Sequence, residues 1–231
     1  MESIKSQEIK QILFKMGADL CGIATIDRFA DAPEGFHPYD VLPSCKSVVV
    51  FAKAFPVGTM QCISNAPYTI TRNQLSNELD TMSVKFCAFM EKSGIIAVPT
   101  GTISHTQLDQ KTGRRRSMVS AKHSAVAAGL GRIGKNTLLV TPEYGNMIWL
   151  NAVLTDYIFE PDEIQTGSPC SDNCSICIDN CPAKALGNPE MNQGSCFSHA
   201  FETNESGELT IKCHKCRSMC PRCLGSENNQ R

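Results

Sequence analysis

Nine of the thirteen cysteines fall between Cys170 and Cys223. Cys174, Cys177 and Cys181 stand in a C-x2-C-x3-C-P run with Cys170 four residues upstream; Cys213, Cys216 and Cys220 repeat the run, with Cys196 upstream and Cys223 downstream. Thiolates separated by two residues can wrap one corner of an iron–sulfur cubane, whereas the x3 step and the following proline turn the last cysteine toward a neighbouring cluster. Two copies imply a reciprocal exchange. The spacing therefore assigns Cys170, Cys174, Cys177 and Cys220 to one 4Fe–4S cluster and Cys181, Cys196, Cys213 and Cys216 to a second, with Cys223 left over. The step from Cys170 to Cys174 is one residue longer than the usual ferredoxin spacing, which makes Cys170 the least regular ligand. Paired C-x2-C knuckles also hold structural zinc, but zinc has no need of two complete C-x2-C-x3-C-P runs. The other four cysteines, Cys21, Cys45, Cys62 and Cys87, lie in apolar or mixed segments and read as small buried hydrophobes.

A second group of residues is GLGRIGKNT, from Gly129 to Thr137. Gly129, Gly131 and Gly134 spell G-x-G-x-x-G, a dinucleotide fingerprint only where a strand precedes it and a helix follows. Here the Ala-rich stretch before it reads as helix and TLLV after it as extended chain, the reverse order. Gly129 through Lys135 also approaches a phosphate loop, but Asn136 occupies the place of the magnesium-binding hydroxyl, so nucleotide hydrolysis is rejected. What remains is a glycine-rich turn that lets backbone approach something flat or large, or that permits tight packing.

The elements that must position these residues follow from periodicity. The first 17 residues space Ile4, Ile9, Ile12, Leu13 and Met16 along one helical face; 19–26 and 47–55 read as strands, 73–94 as a long helix and 95–99 as a short apolar run. Residues 105–117 are polar and carry Arg114, Arg115 and Arg116, the pattern of an exposed loop. A helix over 119–131 and strands over 136–142 and 147–156 complete a mixed α/β pattern. From residue 160 the composition changes: 160–170 reads as linker, and beyond it apolar content is too low for a conventional core, so metal ligation must organise that part. The expected division is an α/β domain over 1–160 and a small ferredoxin-like domain over 161–231. A formal charge of -1 gathers neither nucleic acid nor anionic membrane, and no segment has the apolar length of a membrane span. With no export signal in view, a reducing, cytoplasmic setting is expected for the thiols.

The run SAKHSAVAAGLGRIGKNTLLVTPEYG, then VLTD, then the double cysteine module resembles the epoxyqueuosine reductases and their relatives, which also resemble reductive dehalogenases; DLCGIA and LPSCKSVVVFA fit the same family. The resemblance implies a nitroreductase-like α/β domain that holds cobalamin beside two 4Fe–4S clusters, fed by an electron donor such as a ferredoxin or flavodoxin. Residues 120–137 would then line a corrinoid pocket, with Ser120, Lys122, His123, Gly129, Gly131, Gly134, Lys135, Asn136 and Thr137 as the contacts. Two departures stand out. The family carries an acidic proton donor about thirteen positions before AGLG, where this sequence has Arg115, with Asp109 the nearest substitute; and the family continues past its clusters into a helical repeat region that helps hold tRNA. Both make tRNA an unexpected substrate and point to a short paralogue. Two functions compete: a corrinoid-dependent reductase of a small molecule, and an electron-transfer module that reduces a partner such as a corrinoid protein.

Overall fold

The computed structural model describes residues 4–102, 107–108, 115–187, 191–205 and 207–226, the side chains of 107–108 and 115–116 excepted. Helix α1 (Ser6–Lys15) buries Ile9 and Leu13, one helical turn apart. Strands β1 (Leu20–Thr25) and β2 (Ser47–Ala54) follow, then helix α2 (Ala66–Lys92) and strand β3 (Ala97–Pro99). The short strands β4 (Gln107–Leu108) and β5 (Arg115–Arg116) pair antiparallel where the polar sequence reads as loop. A ladder of two residues a side leaves no alternation to detect. His105, Asp109 and Arg114 lie outside the described residues, as do the side chains of Arg115 and Arg116. Next come helix α3 (Ala121–Ala127), strands β6 (Arg132–Ile133), β7 (Leu139–Val140) and β8 (Ile148–Thr155), helices α4 (Ile176–Asp179) and α5 (Gln193–Ala200), strands β9 (Phe201–Thr203) and β10 (Leu209–Ile211), and helix α6 (Lys215–Ser218).

The main sheet has the order β1-β2-β8-β3 and every pairing in it is antiparallel. Helices and strands alternate along the chain, yet no parallel crossover forms, so the mixed fold is of the α+β kind. Strand β2 is buried on both faces, which is why SVVVFAKA reads as a continuous apolar run. Val48, Val50 and Ala52 point to one side, where α3 packs; Val49 and Phe51 point to the other, where α1 and α2 pack. Each such fully buried side chain contributes roughly 1.5–3 kcal/mol.

Helix α2 begins at Ala66, before the expected start at residue 73. A run of Thr69, Ile70 and Thr71 weakens the helical signal, but burial of Tyr68 against Phe55, with ring centroids 5.3 Å apart, outweighs that propensity. The expected helix over 119–131 stops at Ala127 because Gly129 adopts a φ of 74°. The expected strand over 136–142 shrinks to Leu139–Val140, preceded by Thr137 at φ 61°. No helix among the described residues is long and apolar enough to cross a membrane.

The segment after β8 is strapped to the sheet rather than free. Asp162 accepts from Ile23 N at 2.8 Å and pairs with Lys10, while its carbonyl accepts from Arg28 at 2.7 Å. Beyond it, few apolar side chains of residues 170–226 are buried, and Ile211 packs with Phe55, Tyr68, Leu75 and Met147 of the preceding part. Two hydrogen bonds reinforce that seam: Asn65 Nδ2 donates to Lys212 O at 2.6 Å, and Ile211 N to Thr69 Oγ1 at 3.0 Å.

Candidate functional site

Helices α4 and α6 are the short turns inside the two cysteine runs, and they pack against each other. Cys177 rides on α4 and Cys216 on α6; Cys181 and Cys220 follow them, each just before a proline, and Cys196 lies on α5. The thiols partition by their electrostatic influence on one another. Burial raises the pKa of Cys177, and the neighbouring Cys170, Cys220 and Cys174 raise it further; Cys220 is raised by burial and then by Cys170 and Cys174. Cys196 is raised by burial, then by Cys181 and Cys213. Cys216 is pushed up to about 11 by burial, against the pull of Arg217, with Cys196, Cys213 and Cys181 adding to the rise. The thiols that influence Cys177 and Cys220 are thus drawn from Cys170, Cys174 and Cys220, and those that influence Cys196 and Cys216 from Cys181, Cys196 and Cys213. Each grouping includes one thiol from the other run. Cys223 is the remaining thiol, pushed up to about 11 by burial, with Arg217 lowering it and the neighbouring Cys220 raising it.

Backbone amides point at two of these sulfurs: Lys135 N to Cys170 Sγ at 3.4 Å and Ala185 N to Cys181 Sγ at 3.3 Å. Such donors stabilise thiolate and tune iron–sulfur centres. Among the described residues, no three His, Cys, Asp or Glu side chains converge as a single metal ion requires. Of the four scattered cysteines, Cys45 and Cys87 are buried and their thiols are pushed up to about 11, chemically quiet as expected, whereas Cys62 is exposed and its thiol donates to Gly58 O, against expectation. It follows the short 3-10 turn Val57–Gln61 on the surface, a placement its apolar neighbours did not announce.

The β6–β7 hairpin is the strut between the sheet and the cysteine sets. Exposed Lys135 caps the first set's loop, its ammonium donating to Ser171 O at 3.2 Å, Asp172 O at 2.7 Å and Cys174 O at 3.0 Å. Buried Asn136 donates to Cys216 O at 3.0 Å and accepts from Leu138 N at 3.1 Å. Thr137 donates to Met191 Sδ at 3.2 Å, and its carbonyl accepts from the Lys122 ammonium at 2.5 Å. The three glycines serve close packing. A Cβ on Gly129 would lie 2.1 Å from Glu163 O, one on Gly131 2.3 Å from Val140 O, and one on Gly134 2.9 Å from Asn136 Oδ1 and 3.5 Å from Cys170 Sγ. Of the residues expected to contact a corrinoid, Lys135 and Asn136 are therefore engaged with the cysteine loops.

Ser120 and His123 are placed differently. Ser120 caps α3, and its hydroxyl lies 2.7 Å from His123 Nδ1. Burial, and next the Lys122 ammonium, lower the His123 pKa, favouring the neutral imidazole that can ligate metal. A cavity of about 340 Å³ lies along the hairpin, lined by Gly131, Arg132, Thr141, Ser168 and Arg222 among others, but by none of Ser120, Lys122 and His123. Sequence reasoning passed over Arg217, which is 5% exposed with its guanidinium 5.1 Å from the Phe55 ring centroid; His214, a weaker candidate than His123 from sequence, is stacked on Tyr68 at 4.6 Å. The adjacency of Arg217 to Cys216 was the available signal; its burial was not.

The fold is of the class seen in solved epoxyqueuosine reductases and reductive dehalogenases. The fold matches a solved epoxyqueuosine reductase in complex with an epoxyqueuosine-modified tRNA stem loop, with a TM-score of 0.64 and 24% identity over 94% of this chain and 64% of that one. It also matches a reductive dehalogenase whose structure suggests a mechanism for B12-dependent dehalogenation, with a TM-score of 0.68 and 19% identity over 93% of this chain and 31% of that one. Most of the chain resembles the epoxyqueuosine reductases. It is 36% identical to the epoxyqueuosine reductase of Listeria monocytogenes over 93% of this chain and 64% of the relative, and 25% identical to that of Staphylococcus aureus over 97% and 66%. It spans about two thirds of the length of these curated relatives. No protein-family model matches it.

Proposed function

We propose that the chain is the electron-relaying part of an iron–sulfur reductase, in which two 4Fe–4S clusters pass electrons to a corrinoid held beside α3. What supports this reading is the electrostatic grouping of the thiols, in which Cys220 acts on Cys177 of the first run and Cys181 acts on Cys216 of the second. Two complete C-x2-C-x3-C-P runs suit a pair of cubanes better than structural zinc, which has no need of them. The first cluster takes Cys170, Cys174, Cys177 and Cys220, the second Cys181, Cys196, Cys213 and Cys216. The corrinoid reading rests on the family and on Ser120 and His123, a hydroxyl and a neutral imidazole free of the cysteine loops. A bound corrinoid would supply the low-potential metal for the reductive step. The chain's own residues hold the clusters, orient the imidazole through Ser120, and keep the hairpin pressed against both cysteine sets. An acceptor other than tRNA is proposed because Arg115 takes the place of the family's acid. Anaerobically purified protein should contain about eight irons per chain and negligible zinc. Stoichiometric zinc with no visible charge-transfer band would refute the reading.

A second reading, electron transfer to a partner corrinoid protein, is favoured by the engagement of Lys135 and Asn136 with cysteine-loop carbonyls, which removes two of the expected corrinoid contacts. Cobalamin retention after anaerobic reconstitution distinguishes the two: retention supports the first, and no affinity supports the second. Robust turnover of epoxyqueuosine in tRNA would overturn the choice of acceptor.

A further inference from the structure

Among the described residues, Arg217 is buried with no carboxylate paired to it. It is the only charged side chain among the described residues that is buried this completely. Its Nη1 has no hydrogen-bond partner among those residues. A second cation stands close by. The Lys122 ammonium, on α3, is bonded to Thr137 O at 2.5 Å, and the next residue back, Asn136, holds Cys216 O at 3.0 Å. Two cations beside one another in a desolvated place are unfavourable unless a negative charge joins them. The Cys216 thiol, next in sequence to Arg217 and a member of the proposed second set, feels the Arg217 charge and in turn influences Lys122.

We propose that Arg217 and Lys122 are the fixed counter-charge of the second cluster and raise its reduction potential. The proposal rests on the two-cluster reading above. Four thiolates around a 4Fe–4S core make a dianion when the core is oxidised and a trianion when it has taken up one electron; no bond is made or broken and no proton need move. A neighbouring cation stabilises the trianion more than the dianion, so it favours reduction. Burial makes the effect strong, because salt screens enclosed charges poorly. The first cluster has no equivalent: the residue after Cys177, matching Arg217 after Cys216, is the neutral Ile178, and its nearby Lys135 is exposed. Arg217 and Lys122 are thus positioning charges rather than ligands.

The test uses the full chain, reconstituted anaerobically and titrated with dithionite and mediators while the two clusters are followed by electron paramagnetic resonance. The unaltered protein must show about eight irons and two couples; if it does not, the underlying reading fails and the present inference is not what failed. Cys213→Ser, in the same C-x2-C pair as Cys216, identifies which signal belongs to the second cluster. Arg217→Met should lower that cluster's reduced-to-oxidised ratio about tenfold at fixed potential, equivalent to about 59 mV for one electron, and leave the first couple in place. Arg217→Lys should restore most of the loss, and Lys122→Met should move the same couple in the same direction by less. Full iron content with the second couple unmoved in Arg217→Met overturns the proposal. If Arg217→Met fails to hold iron, Lys122→Met decides, and an unmoved second couple there overturns it equally.

Discussion

Gly131 illustrates how a residue's type can be right for two opposite reasons. A bare Cα beside a macrocycle and a bare Cα beside a carbonyl look the same in sequence. Here the neighbour is the β7 main chain, 2.3 Å from where a Cβ would stand. Gly131→Ala should therefore destabilise the protein by about 1–3 kcal/mol through overpacking, and the lost stability should carry both cysteine sets with it. Thermal unfolding and iron content measure this. Gly58, with nothing within 4 Å of its Cβ direction, is the matched control and should tolerate alanine. Unchanged stability in Gly131→Ala would mean that the hairpin yields where the geometry says it does not. Asn136 has the same double aspect: its amide is read from sequence as a polar contact for a ligand, yet both its ends are spent on protein.

At the scale of elements, α4 and α6 are four-residue helices too short to be stable alone, and they pack on each other with the cysteines around them. Their sequence spacing assigns the thiols in a crossed arrangement, which makes a sharp experiment possible. Cys181→Ala should disturb the second cluster's resonance signal first, although Cys181 belongs to the first run; Cys220→Ala should disturb the first. Cys223→Ser should leave iron content unchanged, since its thiol stands outside both sets. Loss of the first cluster's signal alone in Cys181→Ala would rule out the exchange and make Cys223 the natural fourth ligand of the second set.

On the scale of the whole molecule, the two halves are stabilised by different physics. The two large core clusters draw all their residues from before residue 160, so the sheet needs no metal to bury its apolar faces. Beyond the strap that holds Asp162 to β1, burial is sparse, and ligation must supply much of the folding free energy. Stripping iron with a chelator should raise hydrogen exchange across residues 170–226 while β1, β2 and β8 stay protected. Loss of protection in all three strands together would show that the sheet also depends on the clusters. Ile211, packed with Phe55 and Tyr68, is the place where loosening should first reach the sheet.

The sequence by itself determined the elements with strong periodicity, α1, β2 and β8, because apolar spacing reports which faces must leave water. It also limited which thiols could share a small inorganic core, because covalent spacing along the chain sets which of them can reach one another. Only the tertiary structure decided what the glycine-rich turn packs against, why α2 starts at Ala66, and where Lys135 and Asn136 spend their hydrogen bonds. It alone exposed Cys62 and buried Arg217. These depend on partners far away in sequence: Val140 O, Phe55, the carbonyls of Cys174 and Cys216. A residue's type states what it can bond to. Which group stands there is fixed by contacts between distant segments, and local sequence carries no record of them.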